Sequence, residues 1–294
     1  MAPLPSRERG LVASGGAIYT RALVSGSRYI HGTAPEEQAR LSLLNDLLNA
    51  ACLRELAIRP GERILDVGSG LGHLGRAMGH AAGRTALGVE RSDEQIAGAR
   101  ELARGAPDET FLEMRRGDAL DLPLSAEEWG SFDLAHARFV LEHVPAPERV
   151  VAQMVKAVRP GGRIVLCDDD HALLRLHPEP PGVMAVWEAF VRSYDRLGND
   201  PFVGRRLVSL LVGAGARPRR TTWIFFGACQ GDAAFPGFAR NFAANLTGAR
   251  EAIAATGAVT VEDVGDAAAA IAAFARRPDA SIGYAMPWAE GVKP

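Results

Sequence analysis

The chain has 294 residues, of which 47% are apolar, and carries 33 basic and 35 acidic side chains for a formal net charge of −2. That is enough apolar material for one large or two small domains with a full core, and the charge balance excludes a strongly basic nucleic-acid surface or an acidic tail. The three cysteines, Cys52, Cys167 and Cys229, are scattered in apolar contexts, which argues against a disulfide framework or a zinc site and fits a reducing compartment.

Residues 1–18, rich in Gly, Pro and Ser, read as a loose tail, and Met1 to Gly10 lack the apolar core of a signal peptide. No stretch is long and apolar enough to span a membrane, so a cytoplasmic location is expected, with neither membrane nor nucleic acid as partner. Residues 19–33 are dense in ring side chains, among them Tyr19, Tyr29 and His31. A helix is predicted from about Thr33, its N-cap, with Glu36 as reciprocal capping-box partner and Pro35 in the first turn. Leu41, Leu44, Leu48, Cys52 and Leu56 fall on one face of it. Residues 1–58 are therefore expected to form a tail and a helical cap, and residues 59–294 the main domain.

From residue 63 strands and helices alternate. Strands are predicted at 63–67, 85–90, 110–116, 132–137 and 162–167, the last after the Pro160-Gly161-Gly162 turn. Helices are predicted at 71–82, 93–104 and 147–158, the second begun by a capping box of Ser92 and Gln95. Units of this length predict a parallel sheet with helices on both faces, which binds ligands beyond the carboxyl ends of its strands. Helices at 181–197 and 204–214 follow, then a strand at 221–229. A final strand at 281–288 alternates Ile282, Tyr284, Met286 and Trp288. Residues 231–279 are alanine-rich and helical, with Thr260 as an N-cap, and are too long for a hairpin turn. They are expected to form a helical insertion over the mouth of the sheet. Trp187, Tyr194, Trp223, Phe226, Phe242 and Trp288 read as core, with some lining a pocket beneath that insertion.

Four strand ends carry the chemistry. Ile64-Leu65-Asp66-Val67-Gly68-Ser69-Gly70-Leu71-Gly72 runs from a strand into a glycine-dense turn that lets backbone approach a ligand, with helix N–H groups beyond. Asp66 suits a cationic ligand group, or holds the turn together by accepting backbone N–H bonds. In Gly88-Val89-Glu90-Arg91-Ser92, Glu90 stands where an acid takes both hydroxyls of a ribose. In Arg116-Gly117-Asp118-Ala119, Asp118 can accept from an exocyclic amine and the Ala119 N–H can donate to a ring nitrogen, which together read adenine. The run from His136 to His143 leaves the fourth strand toward the site, and within it Arg138 binds a carboxylate or makes a surface ion pair. After the fifth strand, Asp168-Asp169-Asp170-His171 is expected to turn one or two acids to a substrate and the rest to water. Arg138 would repel a cation there, and no metal is expected. Gly70-x-Gly72-x-x-Gly75 also fits the dinucleotide fingerprint, which keeps a nicotinamide-dependent oxidoreductase as an alternative.

Together these segments resemble the class I S-adenosylmethionine-dependent methyltransferases over residues 60–170. The family's glycine motif matches Asp66, Gly68, Gly70 and Gly72, its ribose-binding acid Glu90, and its adenine-side aspartate Asp118. The Arg159-Pro160-Gly161-Gly162 turn is also typical of it. The resemblance implies an α/β fold: a Rossmann-like, seven-stranded, mostly parallel sheet. It departs from the family where residues 231–279 replace a short turn before the last strand. It implies S-adenosylmethionine held by Tyr29, Asp66, Gly68, Ser69, Gly70, Glu90, Arg91, Gln95, Gly117, Asp118, Ala119 and Arg138. Tyr29 would close over the methionine carboxylate, as N-terminal tyrosines do in some relatives. The implied reaction is in-line methyl transfer to an O, N or C atom of a small molecule, driven mainly by positioning. His143 is the first general-base candidate and His171 the second, since imidazole titrates near neutrality. A monomer or homodimer is expected. The non-enzyme alternative is a regulatory protein that binds S-adenosylmethionine without turnover.

Overall fold

The structure is a computed structural model that describes residues 35–294. Tyr29, His31 and the expected N-cap Thr33 lie outside the described residues. The chain begins with α1 (Pro35–Leu56), which has Glu36 and Glu37 in its first turn and Arg54 in its last, both favourable to the helix dipole. Leu44, Leu48, Cys52 and Leu56, four residues apart, form its buried row.

The alternating units follow as β1 (Ile64–Val67), α2 (His73–Ala82), β2 (Ala86–Glu90), α3 (Asp93–Ala103), β3 (Leu112–Arg116), β4 (Phe132–Arg138), α4 (Pro147–Ala157) and β5 (Val158–Cys167). Next come β6 (Arg175–His177), α5 (Val183–Ser193), α6 (Leu207–Gly213), β7 (Arg217–Phe225) and β8 (Ala228–Cys229). The chain closes with α7 (Phe235–Gly248), α8 (Arg250–Ala254), α9 (Val261–Phe274), β9 (Ser281–Gly283) and β10 (Ala285–Val292).

Seven strands form one sheet in the order β3-β2-β1-β4-β5-β10-β7. The strands β1 to β5 pair in parallel, and β10 runs antiparallel to both β5 and β7. Strand alternation sends side chains to opposite faces. On one face Leu65, Val67, Ala135, Ala137, Ile164 and Leu166 pack with α4 and α6. On the other, Ile64, Leu134, Val165, Cys167, Met286 and Trp288 pack with α1 and α2. Arg163, buried in β5, bonds Glu62 at 3.0 and 2.9 Å and the Leu56 carbonyl at 2.8 Å, so it ties the end of α1 to the sheet.

Two predicted strands turn out to be divided. The 221–229 segment starts earlier, as β7 at Arg217, and breaks after Phe225 before the two-residue β8. At the break a side chain on Gly227 would collide with the Ile282 carbonyl, so the crossing admits only glycine. The 281–288 segment divides at Tyr284 into β9 and β10. The pieces β8 and β9 join β6 in a second, three-stranded antiparallel sheet that sequence reasoning did not anticipate. This sheet and helices α5, α7, α8 and α9 share a separate apolar cluster that includes Trp187, Phe190, Phe235, Phe242, Leu246 and Phe274. Thr260 caps α9 with a complete capping box closed by Asp263. The Ser92 box is half formed: its hydroxyl accepts from Gln95 N at 3.2 Å, but the Ser92 N–H donates to Glu90 at 2.8 Å instead of to Gln95.

Candidate active site

A cavity of about 820 Å³ opens at the carboxyl ends of β1, β2, β3 and β4. Its first wall is the glycine turn. Gly68 and Gly70 both hold positive φ, 69° and 55°. A side chain on Gly68 would collide with Val140, whereas one on Gly70 would meet nothing within 4 Å. The turn is thus closed on the protein side and open on the cavity side. Asp66 lies beneath it, accepting from the Ser69 hydroxyl at 2.8 Å and from His136 Nδ1 at 2.8 Å. Its carboxylate is braced by side chains, and not by the backbone N–H groups of the second of its two sequence readings.

The second wall belongs to β2 and β3. Glu90 accepts from Gly70 N at 3.0 Å and from Arg91 N and Ser92 N at 2.8 Å each, which orients its carboxylate at the strand end. Asp118 accepts from Leu120 N at 2.9 Å, fixing the loop that presents Gly117 and Ala119. Gln95 Oε1, buried and lining the same cavity, has no hydrogen-bond partner among the described residues. Such an atom calls for a donor from a ligand.

On the α1 side, Arg138 donates to Asn45 Oδ1 at 2.6 Å and to Cys52 Sγ at 3.3 Å, and it makes no ion pair among the described residues. Cys52 and Cys167, distant in sequence, meet here. A hydrogen bond from Cys167, together with Arg138, pulls the Cys52 thiol down to about 5 despite its burial. Phe139, which follows Arg138 and lines the cavity, holds φ at 56°, a strained value for a residue with a side chain.

The far end of the cavity is a buried polar cluster within aromatic walls. Glu142, from the short turn after β4, lies 3.3 Å from His143 Nε2 and 3.2 Å from His171 Nε2. His171 Nε2 is also 3.2 Å from the Tyr194 hydroxyl, and its Nδ1 is 3.2 Å from the Tyr284 hydroxyl. Tyr284 has one proton and donates it to Asp169 at 2.9 Å, so His171 Nδ1 donates to Tyr284 and its Nε2 accepts. Burial pushes Glu142 up to about 7. Burial, then the Glu142 charge, pushes Asp169 up to about 8. The same burial holds His143 down to about 3 and lowers His171, so both imidazoles are neutral. Trp187, Tyr194, Phe226, Phe238, Phe242 and Tyr284 enclose the cluster.

Every expected cofactor residue within the described region lines this one cavity, as do His143 and His171. The acidic run departs from expectation. Only Asp169 reaches the cavity. Asp168, fully buried, accepts from Val140 N, Leu141 N and Asp169 N, and Asp170 pairs with Arg205 at 2.6 Å. Neither faces bulk water, because both are consumed in holding the loops after β4 and β5. Of the aromatic residues, Trp187, Tyr194, Phe226 and Phe242 line the cavity and Trp288 is core, but Trp223 is 56% exposed on edge strand β7. Sequence reasoning passed over Glu142, although it sits beside His143 in the same strand-end run. It also passed over His136, whose partner Asp66 is 70 residues away.

Residues 65–166 match the sequence model of a methyltransferase domain. These residues carry a methyltransferase domain of the class I, S-adenosylmethionine-dependent type. The chain is 32% identical over 68% of its length to an uncharacterized 37.1 kDa protein in a transposon of Streptomyces fradiae, of which it covers 54%. It is 31% identical over 54% of its length to the 27-O-demethylrifamycin SV methyltransferase of Amycolatopsis mediterranei, of which it covers 56%. The chain therefore spans about half the length of the curated relatives it matches. A crystal structure from Bacillus halodurans, provisionally described as a methyltransferase, shares the fold with a TM-score of 0.55 at 16% identity, covering 84% of this chain and 98% of that one. No helix among the described residues is long and apolar enough to cross a membrane.

Proposed function

We propose that this chain transfers a methyl group from S-adenosylmethionine to a small-molecule acceptor enclosed in the 820 Å³ cavity. One observation carries this reading: the strand-end residues suited to the cofactor and the buried cluster suited to an acceptor line a single cavity. The open face of Gly70 and the unsatisfied Gln95 Oε1 fit a bound nucleoside-like ligand. In this reading Asp66, Gly68, Ser69 and Gly70 receive the amino-acid end, Glu90 and Arg91 the ribose, and Gln95, Gly117, Asp118 and Ala119 the adenine. Arg138, and Tyr29 from outside the described region, take the carboxylate.

The cofactor supplies a methyl group on a sulfonium, already activated for displacement by an O, N or C nucleophile. The chain's own work is then to align the acceptor and exclude water. Helices α5 and α7 and the loop at Tyr284 close the acceptor end, and residues 231–279 act as its lid. His143 and His171 belong to the proton-handling cluster there. Residues 1–58 act as a tail and helical cap on the domain of residues 59–294. The protein works in the cytoplasm as a monomer or homodimer, without nucleic acid, membrane or resident metal.

The test is incubation of the full chain with methyl-labelled S-adenosylmethionine and a panel of amines, alcohols, phenols and enolisable ketones. Labelled product formed in step with S-adenosylhomocysteine is expected. Cofactor binding without turnover across the panel would mark a regulatory protein instead.

A further inference from the structure

We infer that the acceptor is an amine, bound as its ammonium ion between the Glu142 and Asp169 carboxyls and the surrounding rings, and that Glu142 takes its proton. This names the acceptor class within the function proposed above and rests on that reading.

Charge is the first ground. Glu142 is 3% exposed, and its ion-pair partners are the imidazoles of His143 and His171, both held neutral by burial. Asp169 accepts from a phenol. Glu142 and Asp169 also hydrogen-bond each other, and Tyr194 is a further neutral partner of Glu142, so ionising both carboxyls is costly and a cation in the cavity relieves that cost. Arg40, which lines the cavity and acts on Glu142 through space, bonds Glu37 at 2.7 Å and Asn241 at 3.2 Å. Arg138 is turned to Asn45 and Cys52 at the cofactor end. Arg91 acts on His143 from the β2 end. A carboxylate or phosphate acceptor would drive Glu142 and Asp169 still further toward their neutral acids, whereas an ammonium ion draws them into ionisation.

The walls are the second ground. Ring faces are electronegative and attract ammonium groups, most strongly when desolvated. Trp187 and Phe242 stand 5.4 Å apart, and Phe226 and Phe238 4.7 Å apart, around the same space. Aliphatic walls would serve a neutral apolar acceptor equally well. Rings combined with buried acids favour a cation with an apolar body.

Proton handling is the third ground. An ammonium nitrogen has no lone pair and must lose one proton before it can accept a methyl group. His171 has its Nδ1 proton committed to Tyr284, and its Nε2 lies 3.2 Å from both the Tyr194 hydroxyl and Glu142, which makes it a positioning residue. Glu142 lines the cavity and is ionisable near neutrality. Transfer of one proton from nitrogen to a Glu142 oxygen leaves a neutral amine with a free lone pair beside a neutral carboxylic acid, with atoms and charge balanced.

The experiment is calorimetric titration of the full chain, loaded with S-adenosylhomocysteine, with matched pairs: benzylamine and benzyl alcohol, phenethylamine and phenethyl alcohol, tryptamine and tryptophol. At least one amine should bind about tenfold or more tighter than its alcohol. That preference should fall in Glu142→Gln, and the proton count from titrations in buffers of different ionisation enthalpy should change with it. Equal or weaker amine binding in all three pairs would overturn the inference. So would an undiminished preference in Glu142→Gln, or magnesium chloride alone binding the cluster and excluding the amine. Failure of S-adenosylhomocysteine to bind at the outset would instead sink the methyltransferase reading.

Discussion

Replacing Glu142 by glutamine keeps the side-chain shape and removes a carboxyl that the fold keeps protonated to about pH 7, against an ordinary value of 4.5. Below pH 4.5 the folded and unfolded chains both hold this proton, and the shift has no effect on stability. Between 4.5 and 7 the unfolded chain releases it while the folded chain retains it, so stability falls with rising pH. Above 7 the loss is complete. A displacement of that size corresponds to about 3 kcal/mol. Glutamine abolishes this loss and, by removing the Glu142 charge, also eases ionisation of Asp169. The amide NH₂ can donate to His171 Nε2 in place of the protonated carboxyl. Glu142→Gln should therefore gain on the parent chain as pH rises, by about 3 kcal/mol between pH 4.5 and pH 8, or roughly 6 °C in melting temperature for a chain of this size. Thermal unfolding followed by circular dichroism at both pH values reads the difference directly. A stability gap between variant and parent that is the same at both pH values would refute the reasoning.

Three further outcomes are expected. Gly68→Ala forces a side chain against Val140 at a positive φ and should cost roughly 2–3 kcal/mol in urea unfolding, together with loss of cofactor affinity; an unchanged midpoint would mean that the turn is free to relax. Arg163→Met removes the cationic partner of the buried Glu62 carboxylate and leaves Glu290 with Arg219 alone, and should cost about 3–5 kcal/mol while leaving cofactor affinity intact, which separates scaffold from site. Asp118→Ala should weaken S-adenosylmethionine binding by about tenfold with little change in melting temperature, because its carboxylate serves the loop through a single backbone bond at 2.9 Å.

What the sequence revealed and what it hid divide along physical lines. Glycine turns, capping residues and apolar strands are local signals, and they located β1 to β5, the helices between them and the residues at the strand ends. The small sheet escaped because β6 and β8 have three and two residues, too few for any periodicity to register. The early start of β7 escaped because Arg217, Arg219 and Arg220 are exposed edge residues that give no apolar pattern. The Asp66–His136 and Cys52–Cys167 contacts join positions far apart in the chain, and only the sheet register and the packing of α1 bring them together. Glu142 lay in plain view beside His143. Imidazole drew attention because it titrates near neutrality unaided, whereas a carboxyl reaches that range only through burial, which becomes visible once the fold is known.

The most direct measurement is calorimetric titration of the full chain with S-adenosylmethionine, alongside Glu90→Ala. Glu90 receives three backbone N–H groups at the end of β2, which hold its carboxylate at the strand end where the ribose is proposed to bind. One binding site per chain is expected, with affinity reduced about tenfold or more in Glu90→Ala. No binding by the parent chain, or equal affinity in the two proteins, would contradict the assignment of this cavity as the cofactor site.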